Sequence, residues 1–237
     1  MHRRDFLALG TGAVIVGVLA SPRSLFAADP AETDALLREL VRANDASIPG
    51  QLARQERRAG ARWLGGVPNE YGIFVARAAS GFVSSLACAL AARDSQYFGS
   101  GELTDPLRLA VRYLLAAQHD DGTTDLPETN FHSPPDTAFC LEALCPAYVL
   151  LHASPQPAVV AVADELGQFI VRAGAALTTG GVHTPNHRWV VCGALASINA
   201  LFPNPKYLGR IEQWLAEGIA IDPDGQFTEK STSVYSP

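Results

Sequence analysis

The chain has 237 residues, of which 48% are apolar and 18% are charged, and its formal net charge is −6. This length and composition are typical of a globular protein with one large domain or two small ones, and they exclude a disordered chain. The acidic balance argues against nucleic acid as a partner and against broad capture of a polyanion. An anionic ligand would therefore need a local positive site.

The first residues predict an export signal. "MHRRDFLALGTGAVIVGVLASPRSLFAADP" has a basic start, an apolar run over about residues 6–20 and small residues near its end. The pair Arg3-Arg4 followed by "DFL" resembles a twin-arginine signal, with a plain secretory signal or an uncleaved anchor as the alternatives. We therefore expect residues 1–27 to be a signal peptide handled by the twin-arginine export machinery. The domain at 28–237 would then be periplasmic or secreted, with no stable membrane span.

Apolar residues recur at helical spacing along the rest of the chain, which predicts an all-α protein. Capping residues followed by proline mark several helix starts, such as "TDP" at 104–106 and "TP" at 184–185. No segment before residue 226 alternates well enough to predict a strand. The predicted helices cover about residues 31–46, 52–64, 71–92, 104–118, 135–152, 156–177, 185–202 and 205–219.

Short connections predict that neighbouring helices are antiparallel, so the chain should form helical hairpins. Alternation then places four polar stretches at one end of the array. These stretches are the segments 65–71, 119–133, 183–188 and 220–237. The connections at the opposite end are short. Long polar loops gathered on one face of a rigid scaffold are the usual form of an active site.

Four polar side chains cluster where the helix at 185–202 should begin: His183, Asn186, His187 and Arg188. The free N–H groups and the positive dipole end of a helix start already favour an anion. Amide, imidazole and guanidinium donors strengthen that preference. The combination predicts a carboxylate-binding site. The alternative is that these side chains cap loops and pair with surface acids.

Asn130 and His132 precede a second helix start and are candidates for the same face. Ser133 and Asp136 have the spacing of a capping-box variant, so we expect Asp136 to be structural.

Three further candidates lie in the other polar stretches. Asn69 and Tyr71 belong to the stretch before the helix at 71–92 and are expected to bind substrate. Tyr235, near the end of the chain, would be a proton donor if it lies over Asn186 and His187.

The four cysteines lie inside apolar helical runs and form no CxxC pair. We expect buried free thiols, with one disulfide between packed helices left open in an oxidising compartment. No histidine or cysteine spacing matches a metal site, so neither a metal nor another cofactor is expected.

Helical hairpins, the pair Asn186-His187 at a helix start and "DGQFTE…Y" ending at Tyr235 together resemble a family of exported lyases. These are the polysaccharide lyases with an α/α-toroid domain: the heparinase II/III-like, alginate and glucuronan lyases. The resemblance covers roughly residues 60–235. It implies a partial (α/α) toroid and cleavage of an acidic polysaccharide or oligosaccharide by β-elimination, without a metal.

The resemblance also implies a role for each candidate residue. Asn186 would neutralise the substrate carboxylate, His187 would take the C5 proton, and Tyr235 would protonate the departing O4 or serve both proton transfers. Further donors to the carboxylate would be Asn130, His132 and Arg188.

The family has more helices and usually a large β-rich C-terminal part. We therefore expect a domain that is incomplete at its C-terminus, with an open helical edge at residue 219 that favours self-association.

Two other functions stay open. One is a glycoside hydrolase of the unsaturated glucuronyl hydrolase type, which would use carboxylates of the polar loops. Its candidates are Asp120, Asp121, Asp125, Glu128, Asp222, Asp224 and Glu229. The other is a catalytically inactive homologue that binds carbohydrate on the same face.

Overall fold

The computed structural model describes residues 30–181, 185–218 and 223. Within these ranges the chain is 69% helical, with seven α-helices and one two-stranded sheet, so the all-α prediction is confirmed. The helices are α1 (Pro30–Arg54), α2 (Ala76–Ala91), α3 (Thr104–Ala117), α4 (Pro134–His152), α5 (Pro157–Thr179), α6 (Pro185–Leu201) and α7 (Pro205–Ala216). A 3-10 turn at Gly101–Leu103 precedes α3, and the strands β1 (Thr124–Leu126) and β2 (Asn130–Ser133) precede α4. None of these helices is long and apolar enough to cross a membrane.

The chain divides into two units, residues 1–40 and residues 41–237. In the first unit the described residues are the opening turns of α1, and the side chains of residues 31–40 are all exposed. The second unit contains the end of α1, the hydrophobic core and the remaining elements.

Alternate helices of the second unit form two layers. In one layer α2 packs against α4 and α4 against α6, and in the other α3 packs against α5 and α5 against α7. Successive helices also pair across the layers, as α2 with α3, α4 with α5 and α6 with α7. The short connections from α4 to α7 make successive helices antiparallel, so the N-terminal ends of α4 and α6 lie at the same end of the array. Arg77, at the start of α2, lines the same pocket as Asp136 and Asn186, at the starts of α4 and α6, so the N-terminal end of α2 lies there too.

Both layers contribute to one core, in which burial of apolar side chains is the main favourable term. Its largest fully buried side chains include Phe82 and Leu86 of α2, Leu141 and Leu144 of α4, and Phe169 and Ile170 of α5.

The predicted break in the first helix is wrong. α1 continues through Pro49 to Arg54 as one helix. Proline lacks the N–H that would bond to the carbonyl of residue 45. Contacts on both sides of Pro49 hold the helix together: Asp45 accepts hydrogen bonds from the Ser95 hydroxyl and the N–H of Gln96, and Arg54 donates to the carbonyl of Pro68.

The predicted helix at 52–64 is also wrong, because residues 55–66 fold as a loop. Two backbone hydrogen bonds close it: the N–H of Glu56 donates to the carbonyl of Gly66 at 2.9 Å, and the N–H of Gly65 donates to the carbonyl of Glu56 at 2.7 Å. Gly60 and Gly65 have φ values of +76° and +90°. These left-handed conformations end a helix regardless of the apolar spacing.

α2 begins at Ala76, not at the predicted residue 71. The side-chain oxygen of Asn69 accepts hydrogen bonds from the N–H groups of Tyr71 at 3.0 Å and Ile73 at 2.9 Å. Gly72 follows in the left-handed region, with a φ of +80°. This turn competes with helix formation and delays the start of α2.

The absence of strands before residue 226 was a further wrong prediction, because β1 and β2 form an antiparallel hairpin. Thr124 lies opposite Ser133 and Leu126 opposite Asn130, with an irregularity between them. Strands of three and four residues are too short for alternation to reveal them. The buried Thr137 hydroxyl on α4 accepts from the N–H of Thr124 and donates to the carbonyl of Ser133, each at 2.7 Å.

Gly122, between α3 and β1, leaves no room for a side chain. Its φ is +87°, and a Cβ atom there would lie 2.3 Å from the carbonyl oxygen of Arg172 on α5. We expect Gly122→Ala to lower the free energy of unfolding by more than the ~1–2 kcal/mol that a left-handed residue costs, because the loop must also move away from α5.

The matched control is Gly60→Ala, where φ is +76° and nothing lies within 4 Å of the added atom. Gly60→Ala should lower the free energy of unfolding only by the cost of placing a non-glycine residue in the left-handed conformation. Urea denaturation of both variants measures the difference, and equal losses would contradict the close approach at Gly122.

Candidate functional site

A pocket of about 840 Å³ extends from the N-terminal ends of α2, α4 and α6 along α6 as far as Ser197. α2 contributes Arg77, α4 contributes Phe139 and Glu142, and α6 contributes Asn186 and His187. Three segments that are far apart in sequence therefore share one cavity. Asn186 and His187, predicted as a pair, both line it.

The hairpin brings Asn130 to the same pocket. Its side-chain N–H donates to Asp136 Oδ2 at 3.1 Å, and the Ser133 hydroxyl donates to the same carboxylate oxygen. The N–H of Asp136 donates back to Ser133 Oγ at 3.3 Å. Asp136 is therefore structural, as predicted, because it helps to cap α4. The second amide hydrogen of Asn130 remains for a ligand.

Phe139 contacts two polar side chains of the pocket. Its ring meets that of His187 edge-on, with centroids 6.2 Å apart and planes at 81°. The guanidinium carbon of Arg77 lies 4.7 Å from the Phe139 centroid. A cation–π contact of this kind positions a guanidinium without occupying its N–H donors. Arg77 is the only arginine or lysine among the lining residues that the structure describes.

Arg188 does not line the pocket. Its guanidinium pairs with the Glu217 carboxylate at 2.9 Å and donates to the carbonyl of Gly218 at 2.6 Å. Only 17% of its side chain is exposed. Arg188 thus ties the start of α6 to the end of α7.

His132 belongs to a separate cluster on the hairpin. Its ring stacks on that of His119 with centroids 3.8 Å apart, and His132 and His119 contact the carboxylates of Asp121 and Asp125, each at 2.7 Å. The backbone N–H of His132 also donates to Asp125 Oδ1 at 2.8 Å. Hydrogen bonds from the hydroxyl and N–H of Thr123, and then from His132, hold the pKa of Asp121 below its ordinary value. The cluster braces the turn at which His132 takes a φ of +48°.

Asn69 and Tyr71 do not line the pocket. The side-chain N–H of Asn69 donates to Glu128 Oε1 at 3.1 Å, which joins the stretch 65–71 to the hairpin. Tyr71 is 77% exposed. Tyr235 and His183 lie outside the described residues.

The described ranges contain no group of three or more histidine, cysteine or acidic side chains that could hold a metal ion. The four cysteines are free thiols, of which Cys88 is exposed and the other three are buried. Burial raises the pKa of Cys140 to about 11 and that of Cys145 to about 12, so both thiols stay protonated near neutral pH.

Arg77 and Phe139 line the pocket although the sequence patterns did not single them out. With α2 starting at residue 71, Arg77 would lie nearly two turns inside the helix. It is in fact the second residue of α2. The antiparallel order of the predicted helices already placed this end of α2 at the polar face. A correct prediction of where α2 begins would therefore have identified Arg77 as a candidate.

Thr137 holds the hairpin, and with it Asn130, against α4. Thr137→Val preserves the side-chain shape and removes the hydrogen bonds of the hydroxyl to Thr124 and Ser133, including the contact of 3.2 Å with Thr124 Oγ1. We expect the free energy of unfolding to fall by about 1–3 kcal/mol, because the buried N–H of Thr124 loses its partner.

Thr178→Val is the control, since its hydroxyl donates to the carbonyl of Ala175 at an exposed position where water can replace it. Chemical denaturation compares the two variants. A Thr137 variant as stable as the Thr178 variant would show that the hairpin does not depend on this hydroxyl.

Comparisons of the chain with protein families, with curated proteins and with solved structures find no match. A function must therefore be argued from the pocket and its chemistry.

Proposed function

We propose that the chain is an exported polysaccharide lyase that cleaves a uronic-acid-containing polysaccharide by β-elimination. The observation that carries the proposal is the pocket at the start of α6, where Asn186 and His187 line one wall and Asn130 another. Amide donors beside an imidazole are the groups that this reaction needs.

The first requirement is to neutralise the carboxylate of the uronate, because its C5 proton is only weakly acidic while the carboxylate is ionised. The amides of Asn186 and Asn130 would donate to the carboxylate oxygens and stabilise the enolate-like charge that develops as the proton leaves. The N-terminal end of α6 supplies further N–H groups and a favourable dipole.

The second requirement is a pair of proton transfers. Histidine is a common general base near neutral pH, and His187 would take the C5 proton. The edge-on contact with Phe139 restricts the orientation of the imidazole. Tyr235 would protonate the departing O4, or serve both transfers if it starts deprotonated.

The arrangement of helices supports a toroid as the scaffold. In a partial (α/α) toroid, α2, α4 and α6 would form the inner layer and α3, α5 and α7 the outer layer, which agrees with the helix pairs in contact. Arg3-Arg4 and the apolar run that follows support export to the periplasm or beyond.

Hydrolysis is the second candidate, because Asp136 and Glu142 both line the pocket. A glycosidase needs two available carboxyl groups, whereas Asp136 already binds Asn130 and Ser133. The carboxylates suggested by the sequence, such as Asp121 and Asp125, bind histidines outside the pocket. A single free carboxylate favours elimination over hydrolysis.

Incubation with alginate, glucuronan and heparan sulfate tests the proposal by the ultraviolet absorbance of the unsaturated uronate that only elimination creates. We expect absorbance to rise on at least one polymer. His187→Ala and Tyr235→Phe should each slow the rise by about 100-fold or more, since each removes a proton-transfer group. His152→Ala is the control, because His152 ends α4 far from the pocket and stacks on Tyr148.

If the absorbance still rises with both variants, the proposed reaction is supported, but the roles assigned to His187 and Tyr235 are wrong. New reducing ends without absorbance would support hydrolysis. A folded chain that yields neither product would support the binding-only homologue.

A further inference from the structure

We propose that Arg77 binds a second anionic group of the substrate, on the sugar next to the uronate at Asn186 and His187. The site would then select chains in which acidic sugars follow one another. This inference rests on the proposed function and extends it to the substrate class.

Arg77 is a cation that makes no polar contact stabilising the fold. Other arginines near this end are engaged, since Arg54 donates to the carbonyl of Pro68, Arg172 to that of His119, and Arg188 pairs with Glu217. Within the described residues Arg77 forms neither a hydrogen bond nor an ion pair, and its side chain is exposed to the pocket. In a chain of net charge −6, it provides the local positive site that an anion needs.

The two carboxylates of the pocket do not neutralise it. Asp136 accepts hydrogen bonds from Asn130 and Ser133. Glu142 lies six residues further along α4, about 9 Å of helix rise from Asp136. Neither lies within ion-pair distance of Arg77, so its guanidinium remains available.

Arg77 and His187 belong to helices that each pack against α4, the helix that carries Phe139. The guanidinium carbon is 4.7 Å from the centroid of Phe139, and the His187 centroid is 6.2 Å from the same point. A carboxylate held by Asn186 would lie beside α6, whereas Arg77 lies on α2, with α4 packed against both. Because packed helices lie about 8–10 Å apart, we expect a different anionic group to reach Arg77. The ring of Phe139 offers an apolar surface to the C–H groups of the sugar between them.

The guanidinium fork matches a carboxylate with two parallel hydrogen bonds, and its cation–π contact keeps the fork oriented. Consecutive uronates present one carboxylate on every sugar. Chains in which uronates alternate with a neutral amino sugar present none at the neighbouring position, unless the amino sugar carries a sulfate. Consecutive uronates therefore present one carboxylate to Asn186 and another to Arg77.

Calorimetric titration of the His187→Ala chain tests this, because the variant should bind substrate without cleaving it. The ligands are three tetrasaccharides: consecutive uronates, uronates alternating with N-acetylated amino sugar, and the alternating form with sulfated amino sugar. Adding Arg77→Gln should weaken binding of the consecutive uronates by about 10- to 100-fold, as expected for a lost charged hydrogen bond. Binding of the unsulfated alternating ligand should change little. Arg77→Lys, which keeps the charge without the fork, should lie between.

Arg62→Gln in the same background is the matched control. Arg62 also lies over an aromatic ring, with its guanidinium carbon 4.3 Å from the Trp63 centroid, but it does not line the pocket. The Arg62→Gln substitution also removes one positive charge, and it should leave the affinities for all three tetrasaccharides unchanged.

Three other outcomes would each overturn part of the proposal. If Arg77→Gln and Arg62→Gln behave alike, the role of Arg77 is overturned and the proposed reaction stands. If Arg77→Gln weakens binding of the sulfated ligand alone, Arg77 binds a sulfate, and the proposed selection for consecutive uronates is overturned. If the folded His187→Ala chain binds none of the ligands, the proposed function fails and this inference fails with it.

Discussion

Antiparallel packing of successive helices is the constraint on which the rest of the structure depends. The connections between α4 and α5, α5 and α6, and α6 and α7 are too short to allow any other direction. α4 and α6 consequently run parallel, and the pocket brings Arg77, at the start of α2, to the same end. The pocket exists because α2, α4 and α6 begin at that one end.

Hydrogen bonds in and around the pocket decide which of its polar groups are available to a ligand. Thr137 fixes the hairpin, and the caps of α4 occupy Asp136, while Asn130 keeps a free N–H toward the cavity. Arg188 is occupied by Glu217, whereas Arg77 rests on Phe139 with its donors unused. An acidic chain can in this way present one local positive site to an anion.

Patterns that depend on a few neighbouring residues could be predicted from the sequence. Capping residues and prolines gave the starts of α4 and α6, and alternation brought Asn130, Asn186 and His187 to one end. Two kinds of error remained. The late start of α2 depends on a local turn around Asn69 that apolar spacing does not reveal. The continuation of α1 through Pro49 depends on distant contacts, such as those of Asp45 with Ser95 and Gln96. The role of Arg188 depends on Glu217, a partner in another helix.

A crystal structure of the His187→Ala chain with a tetrasaccharide of consecutive uronates would show directly whether this pocket binds an acidic sugar. We expect the sugar to occupy the pocket between α2, α4 and α6. One carboxylate should lie within hydrogen-bond distance of Asn186 and Asn130, and the next should be held by Arg77. A sugar bound elsewhere, such as in the groove beside Tyr148 and Phe202, would contradict the account.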